Sequence, residues 1–249
     1  MLFRSTDRTY DVIVSQPGNP WMAGASALFT REYFEQVKER LAPGGIASIW
    51  IQGFSASPES VNALVGTLAS VFEHADLWET RVLGDYILTA YDGPLRFDLA
   101  ALEARMGETA VAQGLSYYSI YDAAELLGYF VAPVDAARSL PGASEINVDD
   151  HNFLETRLQR ELLLRREVDV YLSLSSVRTS PVDRLAPPEG ERAAALAARL
   201  ERIARAKQMV REARVLEARA DALGDAAAVV QAAALDREVG RLRATIEAL

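Results

Sequence analysis

The sequence predicts an α/β protein: a sheet domain over residues 1–92, a helical cap and closing segment over 93–172, a linker over 173–190 and a helical hairpin tail over 191–249. Three observations predict it. Val12, Ile13 and Val14 form a β-branched run between Asp11 and Ser15, the pattern of a strand covered on both faces of a parallel sheet. Strand-like and helix-like segments then alternate, which favours parallel pairing. Beyond residue 190 the composition shifts to alanine, arginine, glutamate and leucine, as in long helices.

Each element follows in order. The first strand covers Tyr10–Ser15, and its carboxyl end runs into Gln16, Pro17, Gly18, Asn19, Pro20 and Trp21. Ligands of open α/β sheets lie beyond the carboxyl ends of strands, so this loop belongs to the working edge. Two prolines and a glycine fix its path, and Asn19 before Pro20 is turned away from helical dihedrals. Residues 26–41 carry Leu28, Phe29, Tyr33, Phe34, Val37 and Leu41 at helical spacing, closed by Pro43, Gly44 and Gly45. A strand at 46–51 follows. Ser57, with Pro58 at the first helical position, opens a helix that reaches Phe72 through Val61, Leu64, Val65, Leu68 and Val71. Two strands, 75–80 and 85–90, are joined by a hairpin-like connection at 81–84, and Trp50 and Trp78 are expected in the core. Short helices at 99–106, 122–130 and 134–139 build the cap. Tyr117, Tyr118, Tyr121, Tyr129 and Phe130 are expected to pack it onto the sheet, with ligand contact as the alternative.

Composition narrows the function classes. The chain has 249 residues, 50% of them hydrophobic and 24% charged, enough for one large domain or two modest ones. A formal charge of −9 argues against a nucleic-acid partner and tolerates polycations. The absence of cysteine excludes disulfides, thiol catalysis and thiolate metal sites. No apolar run reaches the length of a membrane span, and residues 1–10 lack the apolar core of a signal peptide, so a cytoplasmic location is expected.

The motifs VSQPGNPW at 14–21, LFT at 28–30, EYF at 32–34, LAPGG at 41–45 and INVDDHNFLETR at 146–157 occur in an order that resembles the spermidine synthase (polyamine aminopropyltransferase) family. The resemblance is closest to its long bacterial branch, in which the synthase-like domain follows membrane-spanning helices. It covers the C-terminal part of the family only. It implies the C-terminal half of a Rossmann-like class I methyltransferase-type sheet, in which the last strand inserts antiparallel. It also implies aminopropyl transfer from decarboxylated S-adenosylmethionine, as cosubstrate, to a polyamine or small amine. The glycine-rich loop and the acidic residue that hold adenosine in this family have no counterpart here, so no cofactor-binding residue is assigned. Met1 falls where a family motif has just ended, which suggests a start inside a longer reading frame. The chain is therefore expected to be incomplete or inactive alone. If the strands that would flank Tyr10–Ser15 are absent, that strand becomes an unprotected edge, open to self-association or to a partner chain.

Carried over by the resemblance, Gln16 and Asn19 stand at the positions of the family acids. Aminopropyl transfer needs a carboxylate to hold the amine and accept its proton, and an amide can orient an amine but cannot take its proton. Ser15, Pro17, Trp21 and Gln52 are the expected substrate-binding residues; a tryptophan after Asn-Pro more often packs its loop onto the sheet than stacks on a ligand, and Gln52 reads equally as a local cap. No metal site is expected: Asp149, Asp150 and His151 are adjacent in sequence, and one of the acids reads as a helix cap before Phe153 and Leu154. His74 reads as a surface residue. In the tail, Leu196, Leu200, Ile203 and Val210 form one stripe and Leu235, Val239, Leu242, Ile246 and Leu249 another, divided at Gly224. The stretch ARADALGDAAAVVQAAALD resembles half of a tetratricopeptide unit. Two readings from other classes stand beside the enzyme: a non-catalytic interaction protein binding through its edge strand and helical tail, and a methyltransferase-like protein.

Overall fold

The computed structural model of the protein describes residues 6–18, 20–22, 24–80, 84–164, 166–186, 191–223 and 226–247. Among them the chain forms two compact units, one from residues 1–95 and 131–179, the other from 96–130 and 180–249. The expected cap, 93–172, is thus divided between them.

The first unit holds a mixed open sheet, so the chain is α/β. Its strands are β1 (Tyr10–Ser15), β2 (Leu41–Gln52), β3 (His74–Glu79), β4 (Asp85–Tyr91) and β5 (Phe130–Pro133), in the spatial order β1-β2-β4-β3-β5. β1 and β2 are parallel, and β4 is antiparallel to both β2 and β3. A later strand is thus inserted antiparallel between two earlier ones, the order that the resemblance implies.

Sequence signals account for the helices. The expected helix at 26–41 is interrupted: a 3-10 turn at Ser26–Phe29 ends at Thr30, whose side chain accepts from the Tyr33 N–H and caps α1 (Arg31–Glu39). A capping hydroxyl in extended backbone ends one helix and starts the next. Leu41, expected at the end of that helix, begins β2. Pro43, Gly44 and Gly45 lie inside the bounds of β2, where the register jumps from Tyr10↔Leu41 to Val12↔Ile46, leaving a bulge of extra residues. Gly44 has a positive φ of 76°, and a Cβ on Gly45 would meet Ala42 O at 2.9 Å and Tyr10 O at 3.0 Å, so both positions require glycine. α2 (Pro58–Val71) is capped by Ser57 with Pro58 at its first position, as expected.

Register sorts the sheet into two faces. One carries Ile13, Ala47, Ala90 and Ala75 in one row and Ser15, Ile49, Leu88 and Leu77 in the next. All but Ser15 join a single core with Tyr33, Phe34 and Val37 of α1 and Val61, Leu64, Val65 and Leu68 of α2. The other face carries Val12, Ile46, Tyr91 and His74, then Val14, Ser48, Thr89 and Asp76, then Trp50, Ile87 and Trp78. Val12 and Val14 are 62% and 69% exposed, against 4% for Ile13. The expectation that β1 is covered on both faces is therefore corrected: one face is covered, and β1 lies at the edge of the sheet. Trp50 and Trp78 are half-buried on the second face and stand outside the core, because the strand period sends them away from α1 and α2. His74 is half-buried and stacks on Tyr91, with ring centroids 6.4 Å apart.

The rest of this unit clamps α2. A Cβ on Gly66 would meet Ala143 O at 1.9 Å, so only glycine lets the 140s segment cross the helix there. α6 (Val134–Ala137), α7 (Phe153–Glu161) and α8 (Glu167–Ser175) complete the packing. The expected helix at 122–130 is shorter, α5 (Ala123–Leu127), because the chain turns into β5 at Phe130. The expected linker is partly helical: residues 173–175 belong to α8, and Pro181–Arg184 form a 3-10 turn.

In the second unit, α3 (Leu99–Met106), α4 (Thr109–Ser116) and α5 accompany two long helices, α9 (Glu191–Leu223) and α10 (Ala226–Glu247), which pack on each other. Leu200, Ile203, Ala206, Ala213 and Ala220 are buried along α9, with Ala228 and Ala232 on α10. Leu200 and Ile203 are thus buried as expected, and the last three α9 alanines, at heptad spacing, add small residues farther along the helix. Gly224, Leu249 and the side chains of Leu196, Val239, Leu242 and Ile246 lie outside the described residues. α9 meets α5 through cations: Arg199 pairs with Asp122, Lys207 donates to Glu125 O and sits 3.3 Å over the Tyr129 ring, and buried Arg211 donates to Gly128 O. Tyr117, Tyr118 and Tyr121, expected to pack the cap, are instead exposed, Tyr117 at 85%. A turn with Ser119 at φ 55° follows α4, which buries no residue, and this leaves the three rings in solvent.

Candidate functional site

The site sits at the carboxyl ends of β1 and β2. β1 delivers Ser15 into the interior, where the Tyr33 hydroxyl donates to Ser15 Oγ at 2.9 Å. Burial raises the Tyr33 phenol above its ordinary range, and the Ser15 hydrogen bond opposes this only in part, so the hydroxyl stays a donor. The period of the chain then exposes Gln16 and buries Pro17 and Pro20. Asn19 lies outside the described residues.

β2 ends at Gln52, which is buried. The next residue has to be glycine, since a Cβ on Gly53 would meet Gly84 O at 2.2 Å. Ser55 follows in left-handed backbone, φ 53°, a conformation that side chains seldom adopt. That turn swings Phe54 toward Trp21, edge to face, with ring centroids 6.2 Å apart. Pro20, Trp21, Gln52, Phe54, Ser60 and Leu158 line a narrow cleft that opens to solvent, with an interior of about 10 Å³, room for about one water molecule. Its surface is mainly apolar, with one amide from Gln52 and one hydroxyl from Ser60.

Of the expected site residues, the fold brings Trp21 and Gln52 together on this cleft. Gln16 and Ser15 are not on its wall: Gln16 points to solvent and Ser15 is engaged by Tyr33.

One residue escaped the sequence reading. Glu161, at the end of α7, is buried against the start of α2. It accepts from the Ser57 N–H at 2.8 Å, from the Ser57 hydroxyl at 2.7 Å and from the Ser60 hydroxyl at 3.1 Å. The chain's own carboxylate therefore fills the anion site that a helix N-terminus provides. It stands one hydroxyl behind the cleft wall, through Ser60. No local signal marks it: RLQRE reads as an ordinary solvated helix end.

The Asp149–Asp150 segment does different work from the cap expected there. Asp149 accepts from the Thr30 hydroxyl at 2.7 Å and its N–H donates to Glu32 at 2.9 Å, while α7 begins after Asn152 without a side-chain cap. The Leu154 N–H is met instead by buried Asn147, at 3.3 Å. Burial tends to raise the Glu32 carboxyl, but the backbone N–H groups of Asp149 and Glu32 and the Arg31 guanidinium bring it below the ordinary range. Among the described residues no three His, Asp or Glu side chains converge to hold a metal ion, and no helix is long and apolar enough to cross a membrane.

The class defined by these features is a mixed open α/β sheet with a small cleft at its carboxyl edge. No protein-family model matches the chain, and no curated protein matches it significantly.

Proposed function

We propose that the chain is a spermidine synthase-like protein whose sheet is the C-terminal half of a class I methyltransferase-type fold. One observation carries the reading: the Pro20–Trp21 loop and Gln52, far apart in sequence, meet on a single cleft at the carboxyl ends of two parallel strands. The order β1-β2-β4-β3, with β4 antiparallel, supports it. The family reaction is aminopropyl transfer. The amine nitrogen attacks the carbon beside the sulfonium of decarboxylated S-adenosylmethionine, the carbon–sulfur bond breaks, methylthioadenosine leaves, and the amine gives up a proton. Gln16 cannot accept that proton, and Glu161 reaches the cleft only through Ser60. The isolated chain is accordingly expected to be silent.

Isothermal calorimetry with methylthioadenosine, paired with turnover assays of Gln16→Glu, tests the proposal. A gain of turnover in Gln16→Glu supports aminopropyl transfer; no turnover in the variant, with no binding of methylthioadenosine to either protein, removes it. A micromolar isotherm from the unaltered chain would overturn the expected silence.

The second reading, a non-catalytic interaction protein, is favoured by the exposure of Val12 and Val14 on the edge strand. Removal of adenosine chemistry from the protein would leave this reading in place.

A further inference from the structure

Among the described residues β1 has one neighbour in the sheet, β2, and no strand pairs with its other edge. The Tyr10 N–H donates to Arg40 O at 2.9 Å, on the β2 side. Backbone groups alternate along a strand, so Tyr10, Val12 and Val14 direct their N–H and C=O groups toward β2. Asp11, Ile13 and Ser15 direct theirs outward. β1 is weakly protected as an edge: it contains no proline and no lysine, and Asp11 is its only charge.

We propose that this edge pairs antiparallel with β1 of a second copy, in the register that places Ile13 opposite the partner's Ile13. The inference rests on the edge geometry and is independent of the aminopropyl-transfer reading. In this register every outward group is used: Ile13 with its counterpart, and Asp11 with the partner's Ser15 at each end. Val12 then stands opposite the partner's Val14, so the two most exposed apolar side chains of the strand cover each other. The charges agree as well. The two Asp11 carboxylates lie at opposite ends of the pairing, each beside a serine. Sliding by one step to set Val12 opposite the partner's Val12 would place each Asp11 against an isoleucine and leave Ser15 without a matching strand residue. The strand is therefore self-complementary in one register. Two copies of net charge −9 repel, so the pairing should strengthen with added salt, whereas a basic foreign partner would bind more weakly.

The chain contains no cysteine, which makes the test clean. Full-length Val12→Cys and Val14→Cys proteins are prepared separately and then mixed under mild oxidation. Directly opposite residues of an antiparallel pair are close enough for a disulfide, so the mixed 12-to-14 cross-link should exceed either self-cross-link by about tenfold. Sedimentation velocity of the unaltered chain should show a concentration-dependent dimer that grows with salt. Val14→Lys should abolish it while the melting temperature stays unchanged. Preferential Val12→Cys self-cross-linking would overturn the register. A monomer at every attainable concentration and salt, or a dimer indifferent to Val14→Lys, would overturn the proposal altogether.

Discussion

Ile13 and Val14 are sequence neighbours of nearly the same chemistry, yet one is sealed in the core and the other stands in solvent. The same division runs along β2, where Ala47, Ile49 and Ile51 are buried and Ile46, Ser48 and Trp50 are half-exposed. On one face α1 and α2 exclude water; on the other, exposure falls gradually from β1 toward Asp76 of β3, which is buried and accepts from the Tyr91 hydroxyl at 2.6 Å. β-branched residues make a strand, but the layer placed above it decides what the strand contributes to stability.

The largest expected effect tests the covered face. Leu88→Ala, at a fully buried position, should cost about 2–5 kcal/mol in urea unfolding, through lost burial and the cavity left behind. A cost no greater than that of a surface substitution would break the contrast between the faces. Next is the pin that holds α2 in place. Glu161→Ala leaves the Ser57 N–H and two hydroxyls without their acceptor and should cost about 1–3 kcal/mol. Glu161→Gln, which can still accept, should recover part of that loss.

A smaller effect should appear in acid. The folded Glu32 carboxyl lies below its ordinary value, so its stabilisation is complete above the carboxyl range and is lost as pH falls through it. Glu32→Gln should flatten the decline of melting temperature between about pH 5 and pH 3. An unchanged acid limb would show that the Glu32–Asp149 contact contributes nothing. The smallest effect is on the open face: at protein concentrations too low for two copies to pair, Val14→Thr should shift unfolding by no more than about 0.5 kcal/mol. A cost near that of Leu88→Ala at such dilution would mean that Val14 is covered within its own chain.

Local signals were sufficient for much of this architecture. Asp11 and Ser15 bracket the strand run that became β1, and Ser57 with Pro58 marks the start of α2 to the residue. The chain order of the first four strands, and the places of Trp21 and Gln52 just beyond the carboxyl ends of two of them, were also legible; that the two side chains meet on one cleft was not. Elements whose cause lies in distant partners were not. Thr30 reads as the interior of a helical stripe, yet its hydroxyl is held by Asp149 and caps α1. Tyr117, Tyr118 and Tyr121 read as packing residues because aromatic rings usually bury, and here all three are exposed.

What the sequence determined by itself is the set of local elements: alternation, caps and turn residues act within a few positions of one another, so their information is contiguous. Tertiary structure alone decided which face of the sheet is dry, that Glu161 would fill the N-terminus of α2, and that Gln16 would point to solvent beside a cleft it does not line. These outcomes depend on which surfaces are brought together across a hundred residues or so, and that is settled by the competition to bury apolar area.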